Sequence, residues 1–157
     1  MQHGQNERTG DILMTNSLKT IGGCCLAVHV ALYIVGAVSH GSLRHEVQTL
    51  PLWIPIIAGF NRREFARWCA LPCMFFWFAM MSLIWLFLLG WSHLISGHFA
   101  PIEIAMTIVV GAASAVGFGL SVWRARWSFA GCVPIALFGV LQVLAFRISF
   151  LPAIAHQ

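Results

Sequence analysis

Charge is what this chain has least of. Only 9% of its 157 residues are Asp, Glu, Lys or Arg, where an ordinary soluble domain has about a quarter. So few charges cannot cover a water-facing surface. With 59% apolar residues and a mean hydropathy of +0.83, the main solvent must be lipid. Catalytic signatures are missing as well. There is no phosphate-binding glycine loop, no Ser-x-x-Lys, no His-Glu-x-x-His and no carboxylate pair inside an apolar segment, so the sequence offers no ground for an enzyme. The five cysteines (Cys24, Cys25, Cys69, Cys73, Cys132) contain no Cys-x-x-Cys pair. Their odd number and apolar settings exclude a disulfide framework or zinc finger. Cys69 and Cys73, four apart, share a helix face and read as small packing residues, with a redox or metal pair as the alternative.

The formal charge is +4, with a pI near 9.1. In a soluble protein that excess would raise the question of nucleic acid. Here the basic residues adjoin apolar segments and no aromatic residues interleave them, so no nucleic-acid partner is expected. Membrane orientation and anionic lipid headgroups account for them better.

The longest uncharged run, residues 68–91, has a tryptophan at each end. As a helix it would be roughly 36 Å long, enough to cross a bilayer core with some tilt. Further apolar spans are expected at about 20–39, 104–123 and 127–146. Trp68, Trp91, Trp123 and Trp127 all fall at span ends, in the pattern of an interfacial belt. Residues 47–60 contain Pro51, Pro55 and Gly59 and would make only about 21 Å of helix. They read as a short, irregular fifth segment, either crossing or dipping into the membrane. The expected fold is therefore an all-α integral membrane helical bundle: four strong transmembrane helices plus a short proline-containing segment, over residues 20–150. Residues 1–19 are polar and read as a disordered tail, and 151–157 as a second tail. Met14 is an alternative start, and the first span doubles as a candidate signal peptide with small residues at Ala37 and Ser39.

Five arginines lie in the turns at 62–67 and 124–126, and none in 92–102. The positive-inside rule makes those turns cytoplasmic and the 92–102 loop external, in a membrane expected to be the bacterial inner membrane. If 47–60 crosses, there are five spans and the N-terminus is cytoplasmic; otherwise there are four and it is outside. Two prolines and a packed glycine favour five.

Four sets of residues could carry chemistry. His40, His45, His93 and His98 lie in two loops that share the outer rim of the five-span arrangement, near Glu46 and Glu103. They could hold copper or zinc, or simply be solvated polar caps. His29 sits mid-span, where an ionisable residue usually faces the bundle. It could serve a cofactor, although no second central histidine offers itself for haem, and a hydrogen bond to Gln142, Ser82 or Ser114 is the plainer role. Glu103 and Arg147 should reach one level and form a structural ion pair. Gly111, Ala115 and Gly119 form a small-residue strip that lets another helix approach.

The expected function is a packing, anchoring or accessory subunit of a larger membrane complex. Its expected partners are the lipid bilayer and other membrane subunits or copies of itself. A metal- or haem-handling redox protein and a small oligomeric transporter are the alternatives.

Overall fold

The computed structural model describes residues 3–39, 42–91, 100–123 and 129–155, with side chains described from Asn16 onward. It is an all-α bundle. The helices are α1 (His3–Val38), α2 (Ser42–Thr49), α3 (Trp53–Phe60), α4 (Phe65–Leu88), α5 (Pro101–Trp123), α6 (Phe129–Ile148) and a single turn, α7 (Pro152–Ala155). Four segments are long and apolar enough to cross a membrane: Asn16–Val38, Phe65–Leu88, Pro101–Trp123 and Gly131–Ile148. At about 1.5 Å per residue they run from about 27 Å to about 36 Å, comparable with the roughly 30 Å apolar core of a bilayer.

One boundary differs from the sequence reading. The polar lead-in is continuous with the first span, since α1 begins at His3. No proline interrupts it, and Gly4 and Gly10 only lower helix propensity. The third strong span starts at Pro101, a first helical position that suits proline. There Glu103 Oε2 accepts the Ala100 N–H at 2.7 Å. A glutamate three residues after the cap position satisfies one of the unpaired donors of the first turn and suits the helix dipole.

The larger finding concerns residues 42–60. They form one bent helical run: α2, a 3-10 turn at Leu50–Leu52, then α3. Thr49, Leu52 and Trp53 all keep right-handed helical backbone angles, so the axis bends without unwinding. Pro51 lies in the first positions of the 3-10 turn and Pro55 in the first turn of α3. An N–H is not needed for an intrahelical bond at either place. The run returns antiparallel to α1 along its whole apolar length. Gly36 packs on Ser42 and His45, His29 on Thr49 and Trp53, and Gly22 on Ile56 and Gly59. At about 1.5 Å per α-helical residue and 2.0 Å per 3-10 residue, its 19 residues cover about 30 Å. That length equals a bilayer core.

The bundle closes as a ring. α5 packs between α1 and α4, α6 packs on α4, and the return run joins α6 back to α1. Inside lie Ile21, Cys25, Val28, Leu52, Cys69, Cys73, Met74, Trp77, Val110 and Phe138. Outside, α6 presents Val133, Leu137, Val140 and Leu144, a face suited to lipid.

Candidate functional site

Where the return run closes the ring, the interior turns polar. Switching from i→i−4 to i→i−3 bonding at the 3-10 turn, beside a proline with no N–H, leaves carbonyls at the end of α2 short of donors. One of them is met from another helix: Gln142 Nε2 on α6 donates to the Gln48 carbonyl at 2.9 Å. The Gln48 side chain in turn donates through Nε2 to Ser149 Oγ at 2.9 Å. That hydroxyl donates its own proton to the Phe146 carbonyl at 2.7 Å. Gln48, Gln142 and Ser149 are all buried. Gln142 Oε1 remains without a partner.

The second branch reaches α1. Thr49 Oγ1 stands 3.1 Å from both the His45 and Glu46 carbonyls, and 3.0 Å from His29 Nδ1. A hydroxyl has one proton, which Thr49 can give to the carbonyls of its own helix. With the proton so placed, His29 Nδ1–H donates to Thr49 Oγ1; in the other tautomer the hydroxyl donates to Nδ1 instead. Trp53 closes over the ring edge-on, with centroids 4.9 Å apart. The sequence reading placed His29 against Gln142, Ser82 or Ser114, and the structure gives it Thr49 instead. Ser82 donates to Phe78 of its own helix at 2.8 Å, and Gln142 is committed to Gln48. Among the described residues, the ring neighbours of His29 are Thr49 and Trp53, and neither is a second axial ligand for haem.

Of the four rim histidines, only His45 can be placed. His40, His93 and His98 lie outside the described residues. His45 is packed beneath Gly36, and its Nδ1 is buried without a partner. Arg44 lies over the Phe150 ring, 4.0 Å from the centroid, a cation–π contact that fastens α2 to the chain beyond α6. Among the described residues, no three His, Cys, Asp or Glu side chains are grouped to hold a metal. Cys25, Cys69 and Cys73 are fully buried members of the core.

Two further expectations are corrected. Glu103 and Arg147 form no salt bridge among the described residues. They sit at the same end of the bundle, but on helices that pack against different faces of the ring: α5 against α1 and α4, α6 against α4 and α2. Arg147 is exposed. The strip of Gly111, Ala115 and Gly119 is divided: Gly111 is half-buried, with Met81 of α4 in van der Waals reach. The inward face of α5 is Thr107, Val110, Ser114, Gly117 and Ser121. Ala115 and Gly119 are exposed, and a side chain on Gly119 would meet nothing within 4 Å.

The close approaches within the bundle occur at other glycines. A Cβ on Gly59 would lie 2.8 Å from Gly22 Cα and 2.9 Å from the Leu18 carbonyl oxygen. A Cβ on Gly131 would lie 2.9 Å from the Trp68 ring. The helices touch there because these residues lack side chains. Gly59 was visible as a packed glycine in the sequence, but its partner Gly22, 37 positions earlier, carries no local signal.

Fold and interior together define the class, an all-α integral membrane bundle with a buried polar junction. Compared with known proteins, the chain matches no family model, and neither a curated protein nor a solved structure is significantly similar to it.

Proposed function

We propose that this protein is a non-catalytic accessory subunit that packs into a larger membrane assembly, in the bacterial inner membrane, with the Arg62–Arg63 turn facing the cytoplasm. One observation carries the reading. The outward face of α5 offers Ala112, Ala115 and Gly119 to the bilayer with no helix of this chain against them. In lipid, small residues do not gain by facing acyl chains, whereas they let a second helix approach closely enough for dispersion to act. The polar junction supports the same reading from inside. Its hydrogen bonds join its members to each other and to the broken backbone of the return run, in the manner of structural bonding.

The test is crosslinking in native membranes from position 115. With a photo-reactive residue there, the account expects one discrete adduct, a second copy or another membrane subunit. It also expects Gly119→Leu to abolish the adduct while leaving the melting temperature unchanged. A chain that stays monomeric and forms no adduct from this face contradicts the proposal.

A further inference from the structure

At the end of the return run, away from the polar junction, lies a cleft of about 690 Å³ lined by Ile54, Ile57, Ala58, Asn61, Arg62 and Arg63. Its two halves differ in chemistry. Ile54 and Ile57 are exposed, at 47% and 56%, along the outer face of α3. Asn61, Arg62 and Arg63, also exposed, cluster where the helix stops.

The turn that presents these arginines is a helix-ending motif. The Arg63 N–H bonds to the Ala58 carbonyl at 2.9 Å and the Arg62 N–H to the Gly59 carbonyl at 3.0 Å. That pairing requires a left-handed residue, which is usually glycine or asparagine. Here it is Arg62, with φ of 57°, and it is alone among the described non-glycine residues in having a positive φ. The available asparagine stands one place earlier, at 61. Strained backbone held in place over a cleft is a pointer to function. Its consequence here is that two adjacent guanidiniums stand beside an apolar wall. Glu64 follows them, but among the described residues no salt bridge neutralises either one.

We infer that this cleft binds one anionic glycerophospholipid, with its phosphate on Arg62 and Arg63, the Asn61 amide donating beside them, and an acyl chain along Ile54 and Ile57. Guanidinium pairs suit phosphate oxygens bidentately. Basic residues at a membrane surface draw anionic lipid, and the apolar wall supplies what a soluble phosphate could not use. The inference does not depend on the accessory-subunit reading.

The experiment is native mass spectrometry of the full-length protein released from detergent, titrated with dioleoyl phosphatidylglycerol, dioleoyl phosphatidylcholine and inorganic phosphate. The expected result is a single retained phosphatidylglycerol, preferred over phosphatidylcholine by about tenfold or more. Arg62→Gln and Arg63→Gln should each lower that preference, and the double variant should abolish it. Arg147→Gln, which removes an exposed guanidinium at the opposite end, should leave it intact. Ile57→Asn should weaken dioleoyl but not dihexanoyl phosphatidylglycerol. All of these positions are exposed, and circular dichroism checks that each variant is folded. Equal retention of both lipids, an equal loss in Arg147→Gln, or displacement of the lipid by inorganic phosphate at matched concentration would overturn the inference.

Discussion

The two seams that α1 makes with its neighbours are built in opposite ways. Toward α5 the helices are regular, and the inward face of α5 carries the hydroxyls of Thr107, Ser114 and Ser121. Ser121 donates to Gly117 at 2.7 Å and Thr107 to Ile104 at 2.7 Å, each within α5 itself. At the return run the hydrogen bonds leave their own element: His29 of α1 to Thr49, and, on the side of the run that faces α6, Gln142 to Gln48 and Gln48 to Ser149. The difference follows from the backbone. An unbroken helix satisfies its own peptide groups, so its hydroxyls fold back on it. A helix broken by two prolines in lipid must find donors elsewhere, because no water reaches it.

The largest effect should come where the return run touches α1. Gly59→Ala places a methyl group against the α1 backbone, which cannot step aside, so destabilisation should reach the upper part of the roughly 1–3 kcal/mol range for overpacking, or exceed it. Gly23→Ala, one residue from Gly22 but with nothing within 4 Å, should be neutral or slightly stabilising. Melting of both variants in detergent measures the contrast. Gly117→Ala on the α5 seam should fall between them, since the nearest atom there is the flexible Met74 Sδ at 2.9 Å.

Next comes the donor that Gln142 lends to the broken helix. Gln142→Leu strands the Gln48 carbonyl and should cost about 1–2 kcal/mol, near the upper end for polar contacts in membranes. Ser121→Ala, which removes a bond internal to α5, should change the unfolding midpoint by much less. If the two substitutions cost the same, the distinction between the seams fails. His29→Leu and Thr49→Val should each cost about 0.6 kcal/mol, with 1.7 as an approximate upper bound. The double variant should cost little more than either one, because both remove one bond. Strict additivity in that cycle would mean that the pair is not coupled.

Much of the architecture is legible in the sequence, for identifiable reasons. A run of twenty uncharged residues has few alternatives to a span, and tryptophans mark its ends. Trp123 at the end of α5 is 86% exposed, and Trp91, just beyond α4, is 80% exposed, as the belt pattern requires. The return run was half legible. Pro51 and Pro55 looked like breaks in a short segment, yet they fall at consecutive helix starts where proline is tolerated. The polar residues ahead of that segment, Arg44 and His45, belong to the same bent helical run rather than to a loop. The lateral arrangement was not legible. Reasoning from helix length put Glu103 and Arg147 correctly at one end, but depth says nothing about which faces of a ring α5 and α6 occupy. The bond from Gln142 to Gln48 joins residues 94 positions apart and depends on that same arrangement.

The account stands or falls on residues 42–60 forming a complete return crossing. The direct measurement is labelling of single cysteines at positions 43 and 61 with a membrane-impermeant maleimide in intact cells and inverted vesicles. The background should carry Cys132→Ser, because that cysteine is exposed while the other four are buried. The account predicts opposite accessibility, with position 43 reached from one side of the membrane and position 61 from the other. Labelling of both positions from the same side would show a segment that enters the membrane and turns back, and would contradict it.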